Sequence, residues 1–261
     1  MEVIIRSSRD DAVELSAELI ARALRKKPQS VLGLATGRSM ERLYARLVAM
    51  HREEMLDFAL ATTFNLDEYI GLPRGHEGSY RYYMHKHLFD KVNIDPRNVH
   101  LPHGDADDIG AECVRYEQLI QDCGGIDLQL LGIGRTGHIG FNEPLSAMFS
   151  RTRAKALMPQ TVAQNAPLFG NPADMPKRAI TMGVGTILKA RRCVLLVTGE
   201  EKSEIIAKAV EGPVTSMISA TALQLHSSCT VIVDEAAAAR LENKDYYRWI
   251  FDNEPEWEEY R

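Results

Sequence analysis

The sequence predicts an α/β fold: an open, mostly parallel Rossmann-like sheet with helices on both faces and a lid segment. Three observations carry that prediction. Short, nearly continuous apolar runs rich in β-branched residues recur along the chain, as buried parallel strands require. Amphipathic segments of helix length separate most of them, the alternation expected of a sheet covered on both sides. No composition shift, long Pro/Gly/Ser linker or fixed-period repeat divides the 261 residues, so 1–261 reads as one domain.

In chain order, Val3-Ile4-Ile5 opens as a strand and 9–25 follows as an amphipathic helix. The apolar run 31–34 is the next strand, with a helix over 40–50. A strand at 61–65 leads to a helix at 79–89, and a second helix spans 107–123. Strands are expected at 128–133, 180–184, 193–197 and 230–233, with helices at 202–210 and 215–225. The least regular stretch, 142–177, holds Pro144, Pro159, Pro167, Pro172 and Pro176. It is too long for a plain connection, so 144–177 is read as a lid. The acidic end, 253–261, is expected to be a solvated terminus.

Composition narrows the function. With 45% hydrophobic and 26% charged residues the chain is ordinary globular protein, which excludes disorder and fibrous repeats. No apolar stretch reaches the roughly 18 residues of a spanning helix, and the opening MEVIIRSSRDD lacks signal-peptide features, so a cytoplasmic protein without membrane attachment is expected. The formal net charge of -5 gives no global attraction for nucleic acid, and an anionic ligand must be held locally. Cys113, Cys123, Cys193 and Cys229 have no C-x-x-C spacing, and the histidines lack ligand spacing, so neither a disulfide framework nor a metal site is expected.

In an open parallel sheet, ligands sit beyond the carboxyl ends of the strands, and three expected strands end in chemically loaded segments. Gly132-Ile133-Gly134-Arg135-Thr136-Gly137 matches a dinucleotide-binding pattern, but Gly140 and Pro144 oppose the helix that pattern needs, and 144–173 contains no acid for a ribose. The glycines, Gly137 among them, instead suit a turn that approaches a small ligand and presents His138. Glu143, five residues on, can orient one ring nitrogen and leave the other as acid or base. Asp67 and Glu68 end a neighbouring strand, where a helix cap is the plainer alternative to proton transfer. Thr36-Gly37-Arg38-Ser39 opens a helix, where hydroxyls and free N–H groups suit a phosphate as well as a simple cap. Lys202 sits in a first helical turn against the helix dipole, a placement that a bound anion would explain.

The segments Asn65-Leu66-Asp67-Glu68-Tyr69 and Gly137-His138-Ile139-Gly140-Phe141-Asn142-Glu143-Pro144 resemble the glucosamine-6-phosphate deaminase family closely, and the likeness runs to about residue 235. The related 6-phosphogluconolactonases share the G-x-x-G-H turn but not, as a rule, the FNEP continuation. The resemblance implies cofactor-free isomerisation and deamination of glucosamine 6-phosphate to fructose 6-phosphate and ammonia, a hydrolase/isomerase reaction. His138, oriented by Glu143, would open the sugar ring, Asp67 would shuttle a proton between carbons 2 and 1, and Thr36, Gly37, Ser39 and Lys202 would hold the phosphate. A phosphosugar is thus the expected partner, and the resemblance leaves room for a homo-oligomer. Another hexosamine 6-phosphate, a lactonase-like hydrolysis and a non-catalytic sugar-phosphate sensor are the competing readings.

Three departures from the family stand out. Thr136 occupies a position where Asp or Asn usually completes the ring-opening triad. Pro167, in Gln164-Asn165-Ala166-Pro167, falls where the family has a lid arginine. Arg38 stands in the phosphate loop where a small residue is usual, as though the arginine had moved there. Arg153 and Lys155 match positions that bind an N-acetylglucosamine 6-phosphate activator in allosteric relatives, with Ala147 in place of a serine.

Overall fold

The computed structural model describes residues 1–169 and 171–261; Gly170, inside the expected lid, lies outside the described residues. The chain opens with strand β1 (Glu2–Arg6) and helix α1 (Arg9–Lys26). Ser8 caps α1 by accepting the Asp11 N–H at 3.1 Å, with Asp10 and Asp11 in the first turn and Arg25 and Lys26 in the last, matching the helix dipole. Strand β2 (Val31–Leu34) and helix α2 (Arg38–Glu53) follow, then β3 (Thr62–Asn65), β4 (Asp67–Tyr69), α3 (Tyr80–His87) and the two-residue β5 (Val99–His100). Next come α4 (Ile109–Asp122), β6 (Leu128–Leu131), β7 (Arg153–Ala156), α5 (Pro159–Asn165) and β8 (Arg178–Thr181). The short α6 (Val184–Ile187), β9 (Arg192–Val197), α7 (Ser203–Val210), β10 (Cys229–Asp234) and α8 (Lys244–Asn253) complete the order.

Seven strands form one sheet in the order β1-β10-β9-β6-β2-β3-β5, and every neighbouring pair is parallel. Their residues are buried almost throughout, because helices cover both faces, which is why the strands read as continuous apolar runs rather than alternating ones. From β2 the chain winds outward through β3 and β5, then returns to β6 and winds the other way through β9 and β10. The boundary between β2 and β6 is therefore the topological switch point, where such sheets open a crevice beyond their carboxyl ends.

Four expectations need correction. The run at 180–184 is a strand only over Arg178–Thr181, and it leaves the main sheet: β8 pairs antiparallel with β4 and β7 in a second, three-stranded sheet. An apolar run shows that a strand is buried but not which sheet buries it. The expected helix 215–225 is instead a 3-10 helix, Ser219–Leu225. Thr221 gives its hydroxyl to the Thr215 and Ile218 carbonyls and Ser219 gives its own to the Asn142 carbonyl, so side chains hold the backbone away from α geometry. The region expected as a lid holds β7, α5 and two 3-10 turns, more regular structure than its prolines suggest. The acidic end is not a solvated terminus: Trp257 is 0% exposed, packed on Phe251 and Tyr260, with the Arg192 guanidinium over its ring at 5.9 Å. Two aromatics among four acids outweigh the charge, since the acids can stay in water while the rings are buried. All four cysteines are free, and no helix among the described residues is long and apolar enough to cross a membrane.

Candidate active site

A cavity of about 520 Å³ opens at the carboxyl ends of β2, β6 and β9, across the switch point. From β2 it takes Ala35 to Met40, from the turn after β3 Leu66 and Asp67, from the turn after β6 Gly132 to Arg135, and from beyond β9 Thr198 and Lys202. Tyr44 on α2 donates its hydroxyl to the Ala35 carbonyl, and Tyr83 on α3 donates to the Gly37 carbonyl at 2.8 Å, so two helices hold the first loop. Gly37 caps α2 at φ +119°, a conformation that favours glycine.

His138 lines the cavity from a tight turn in which the Gly134 N–H donates to the His138 carbonyl at 2.8 Å and the Gly137 N–H donates to the Gly134 carbonyl at 3.0 Å. A Cβ at Gly134 would stand 2.1 Å from His138 Nε2, so that glycine makes room for the ring. On the other side of the ring, Nδ1 lies 2.8 Å from Thr136 Oγ1 and 3.1 Å from Glu143 Oε2. Thr136 Oγ1 in turn donates to Glu143 Oε2 at 3.4 Å. Thr136 thus sits between the histidine and the carboxylate rather than in the cavity wall, and Nδ1 is engaged while Nε2 remains for chemistry.

Glu143 is 4% exposed. Burial alone would raise its carboxyl, but the hydrogen bond and charge of His138, with further hydrogen bonds from Thr161 and the Met158 N–H, outweigh that and hold it below its ordinary value. Asp67, 6% exposed at the start of β4, goes the opposite way. Burial first and the neighbouring Glu68 second push its carboxyl up to about 8, partly offset by the Phe141 N–H. Two carboxylates with environments that drive them apart suit an acid/base pair of distinct roles. A Cβ at Gly140 would stand 3.4 Å from Asp67 Oδ2, so the glycine-rich turn brings the second strand end against the first.

Glu68 takes the plainer of its two readings. It accepts the N–H groups of Tyr69, Tyr80 and Arg81, each at 2.9 Å, and closes the start of α3. Gly137 is likewise structural and does not line the cavity: a Cβ there would meet Ile218 Cγ2 at 2.5 Å, and its carbonyl accepts the Ala220 N–H. Thr36, Gly37, Arg38 and Ser39 all line the cavity beside the first turn of α2, whose N–H groups have no partner within the helix. Lys202 donates to the Ile133 carbonyl at 2.9 Å, and burial lowers its pKa, opposed by Glu201 and reinforced by Arg135 and Arg38. Arg153 and Lys155 lie away from this wall on β7, where Arg153 donates to Asn142 Oδ1 at 2.9 Å and Ser146 Oγ at 3.1 Å.

Arg9, Arg42 and Arg135 also line the cavity and were not singled out from the sequence. Arg9 is the first residue of α1, and the signal that drew attention to Lys202, a cation against a helix dipole, was present there too. With Arg38 and Lys202 the wall carries five cations against the carboxylates of Asp67 and Glu201. A small anionic ligand is what such a wall favours, with a proton-transfer pair in the same cavity. Among the described residues no cluster of three or more His, Cys, Asp or Glu could hold a metal ion.

A family profile described as glucosamine-6-phosphate isomerases/6-phosphogluconolactonase matches residues 7–232. A glucosamine-6-phosphate deaminase of Shewanella loihica is 49% identical over 250 residues, 96% of this chain and 93% of that one. A glucosamine-6-phosphate deaminase of Pseudarthrobacter chlorophenolicus is 48% identical over 258 residues, 99% of each chain. Among solved structures, one described as a monomeric glucosamine-6-phosphate deaminase superimposes with a TM-score of 0.90 at 43% identity, covering 92% of this chain and 100% of that one.

Proposed function

Since the chain belongs to the glucosamine-6-phosphate isomerase/6-phosphogluconolactonase family, we propose that it isomerises and deaminates glucosamine 6-phosphate, yielding fructose 6-phosphate and ammonia without a cofactor. The observation that carries this reading is the convergence of Asp67 and His138 on one cavity whose wall is cationic. The phosphate docks at Thr36, Gly37 and Ser39 with Lys202 and Arg38, where helix N–H groups and charge act together. His138 moves a proton from the carbon 1 hydroxyl to the ring oxygen and opens the pyranose, with Glu143 and Thr136 fixing its ring. Asp67, as carboxylate, takes the proton from carbon 2 to give an enolamine and returns it to carbon 1. Water adds to the resulting carbon 2 imine, the carbon–nitrogen bond breaks, and ammonia leaves. The high pKa of Asp67 suits a group that must both take and give back a proton near neutrality.

Ammonia release from the purified protein, measured in parallel on the 6-phosphates of glucosamine, galactosamine and mannosamine, tests the reading. Turnover is expected with the glucosamine compound and fructose 6-phosphate is its expected product. Silence on that substrate with hydrolysis of 6-phosphogluconolactone would overturn it, as would turnover only with an epimer.

A further inference from the structure

Helix α5 touches the acid/base pair at one end and the cavity at the other. Its first residue, Pro159, follows Met158, whose N–H donates to Glu143 Oε1 at 3.4 Å. One turn on, the buried Thr161 donates its hydroxyl to that same Oε1. Glu143 is therefore shared between two sides: Oε2 faces His138 and Thr136, while Oε1 faces α5. The ionisable group in contact with it is His138. At the far end of the helix Gln164 and Asn165 line the cavity. Asn165 also donates to the Tyr69 hydroxyl at 3.0 Å, and that hydroxyl lies 3.2 Å from the hydroxyl of the cavity-lining Tyr80. Helix α5 thus joins the two places: Thr161 holds Glu143, while Gln164 and Asn165, three and four residues on, line the cavity.

We propose that Thr161 is a positioning residue for the Glu143–His138 pair, through which the seat of α5 on the cavity sets how that pair is held. The inference rests on the deaminase reading above. Thr161 touches neither cavity nor ring; it acts by holding one carboxylate oxygen so that the other is aimed at Nδ1. A carboxylate that loses one of its donors rotates more freely and binds its proton more tightly. Valine matches threonine in shape and removes only the hydroxyl, whereas serine keeps the hydroxyl and removes only a methyl.

The test compares Thr161→Val and Thr161→Ser with the unaltered chain, following ammonia release from glucosamine 6-phosphate and, by carbon-13 NMR, the titration of the Glu143 carboxyl. Thr161→Val is expected to lose about 10-fold in kcat with KM within about 2-fold, and its Glu143 carboxyl is expected to titrate about one pH unit higher, the size of one charged hydrogen bond. Thr161→Ser is expected to restore both. Normal kcat with an unmoved Glu143 titration in Thr161→Val, a loss confined to KM, or equal impairment in Thr161→Ser would each overturn the inference. Failure of the deaminase reading is seen separately, as silence of the unaltered chain. In that event the Glu143 carboxyl, followed by carbon-13 NMR titration, still decides: it must titrate higher in Thr161→Val than in Thr161→Ser.

Discussion

Replacing Asp67 with asparagine should separate what the buried acid does to stability from what it does in the reaction. Its carboxyl rises from 3.8 to about 8 because burial, and then Glu68, disfavour the charge. The folded protein therefore holds a proton there that the unfolded chain has released, and between pH 4 and 8 stability must fall as pH rises. At 1.36 kcal/mol per pH unit the loss approaches ~4 kcal/mol at pH 7 and ~6 kcal/mol once the pH exceeds both values. Asparagine keeps an acceptor for the Phe141 N–H but has no proton to lose. Urea unfolding of both proteins at pH 5, 7 and 9 should show an advantage for Asp67→Asn that widens by several kcal/mol across the series. The same variant should lose about 100-fold to 10,000-fold in turnover, as removal of a general base does. In the unaltered chain, kcat/KM should climb with pH toward a limb near 8. Unfolding curves separated by the same margin at every pH would refute the reasoning, because the carboxylate would then be charged in the fold at no cost.

The other predictions concern the rest of the cavity and the packed end of the chain. Arg38→Gly should weaken phosphosugar binding about 10-fold to 150-fold, the worth of one charged hydrogen bond, as read by competition with inorganic phosphate; an unchanged affinity would remove Arg38 from the phosphate site. Thr136→Asp places a charge beside His138 and Glu143, and a raised rate, or an acidic limb moved in pH, is expected in the kcat profile. Gly134→Ala must push the His138 ring aside, since its Cβ would lie 2.1 Å from Nε2; kcat should fall by more than about 100-fold while a thermal melt changes little. Trp257→Ala should cost about 3–5 kcal/mol of stability by urea unfolding and leave KM unaltered, because Trp257 packs near Arg192 at the start of β9 and the cavity lies at its end.

The parallel sheet was legible because its strands are buried on both faces and so write themselves as unbroken apolar runs, as in Val31–Leu34 and Arg192–Val197. The small sheet was not. Asp67–Tyr69 is three residues of two acids and an aromatic, and Arg153–Ala156 has only alanines at its apolar positions, so pairing rather than local pattern makes them strands. Likewise Tyr246 and Trp249, exposed on α8, obscure the apolar face that would have announced that helix. In the site, Asp67, His138 and Glu143 were legible as chemistry out of place at strand ends. Glu68 looked equivalent to Asp67, and only the three N–H groups it accepts show that it closes α3. Thr161 carried no signal at all, because a threonine in a short helix is ordinary until the carboxylate above it is seen.

The strand order has a consequence for how the chain is made. Strand β1 takes its place in the sheet beside β10, Glu2 facing Thr230, so it is made more than two hundred residues before the strand it pairs with. Through that interval β1 offers an open edge to any passing strand, a hazard that chaperones exist to cover. The wait also makes the sheet's closing step a long-range one, and so a slow one. Its arrival seats β10 beside β9 and positions Asp234 to accept the Gly199 N–H that steadies the turn before Lys202. Nascent chains stopped short of residue 229 should therefore carry Asp67, His138, Glu143 and Lys202 yet lack a firm anion wall, and activity should appear late and all at once during synthesis.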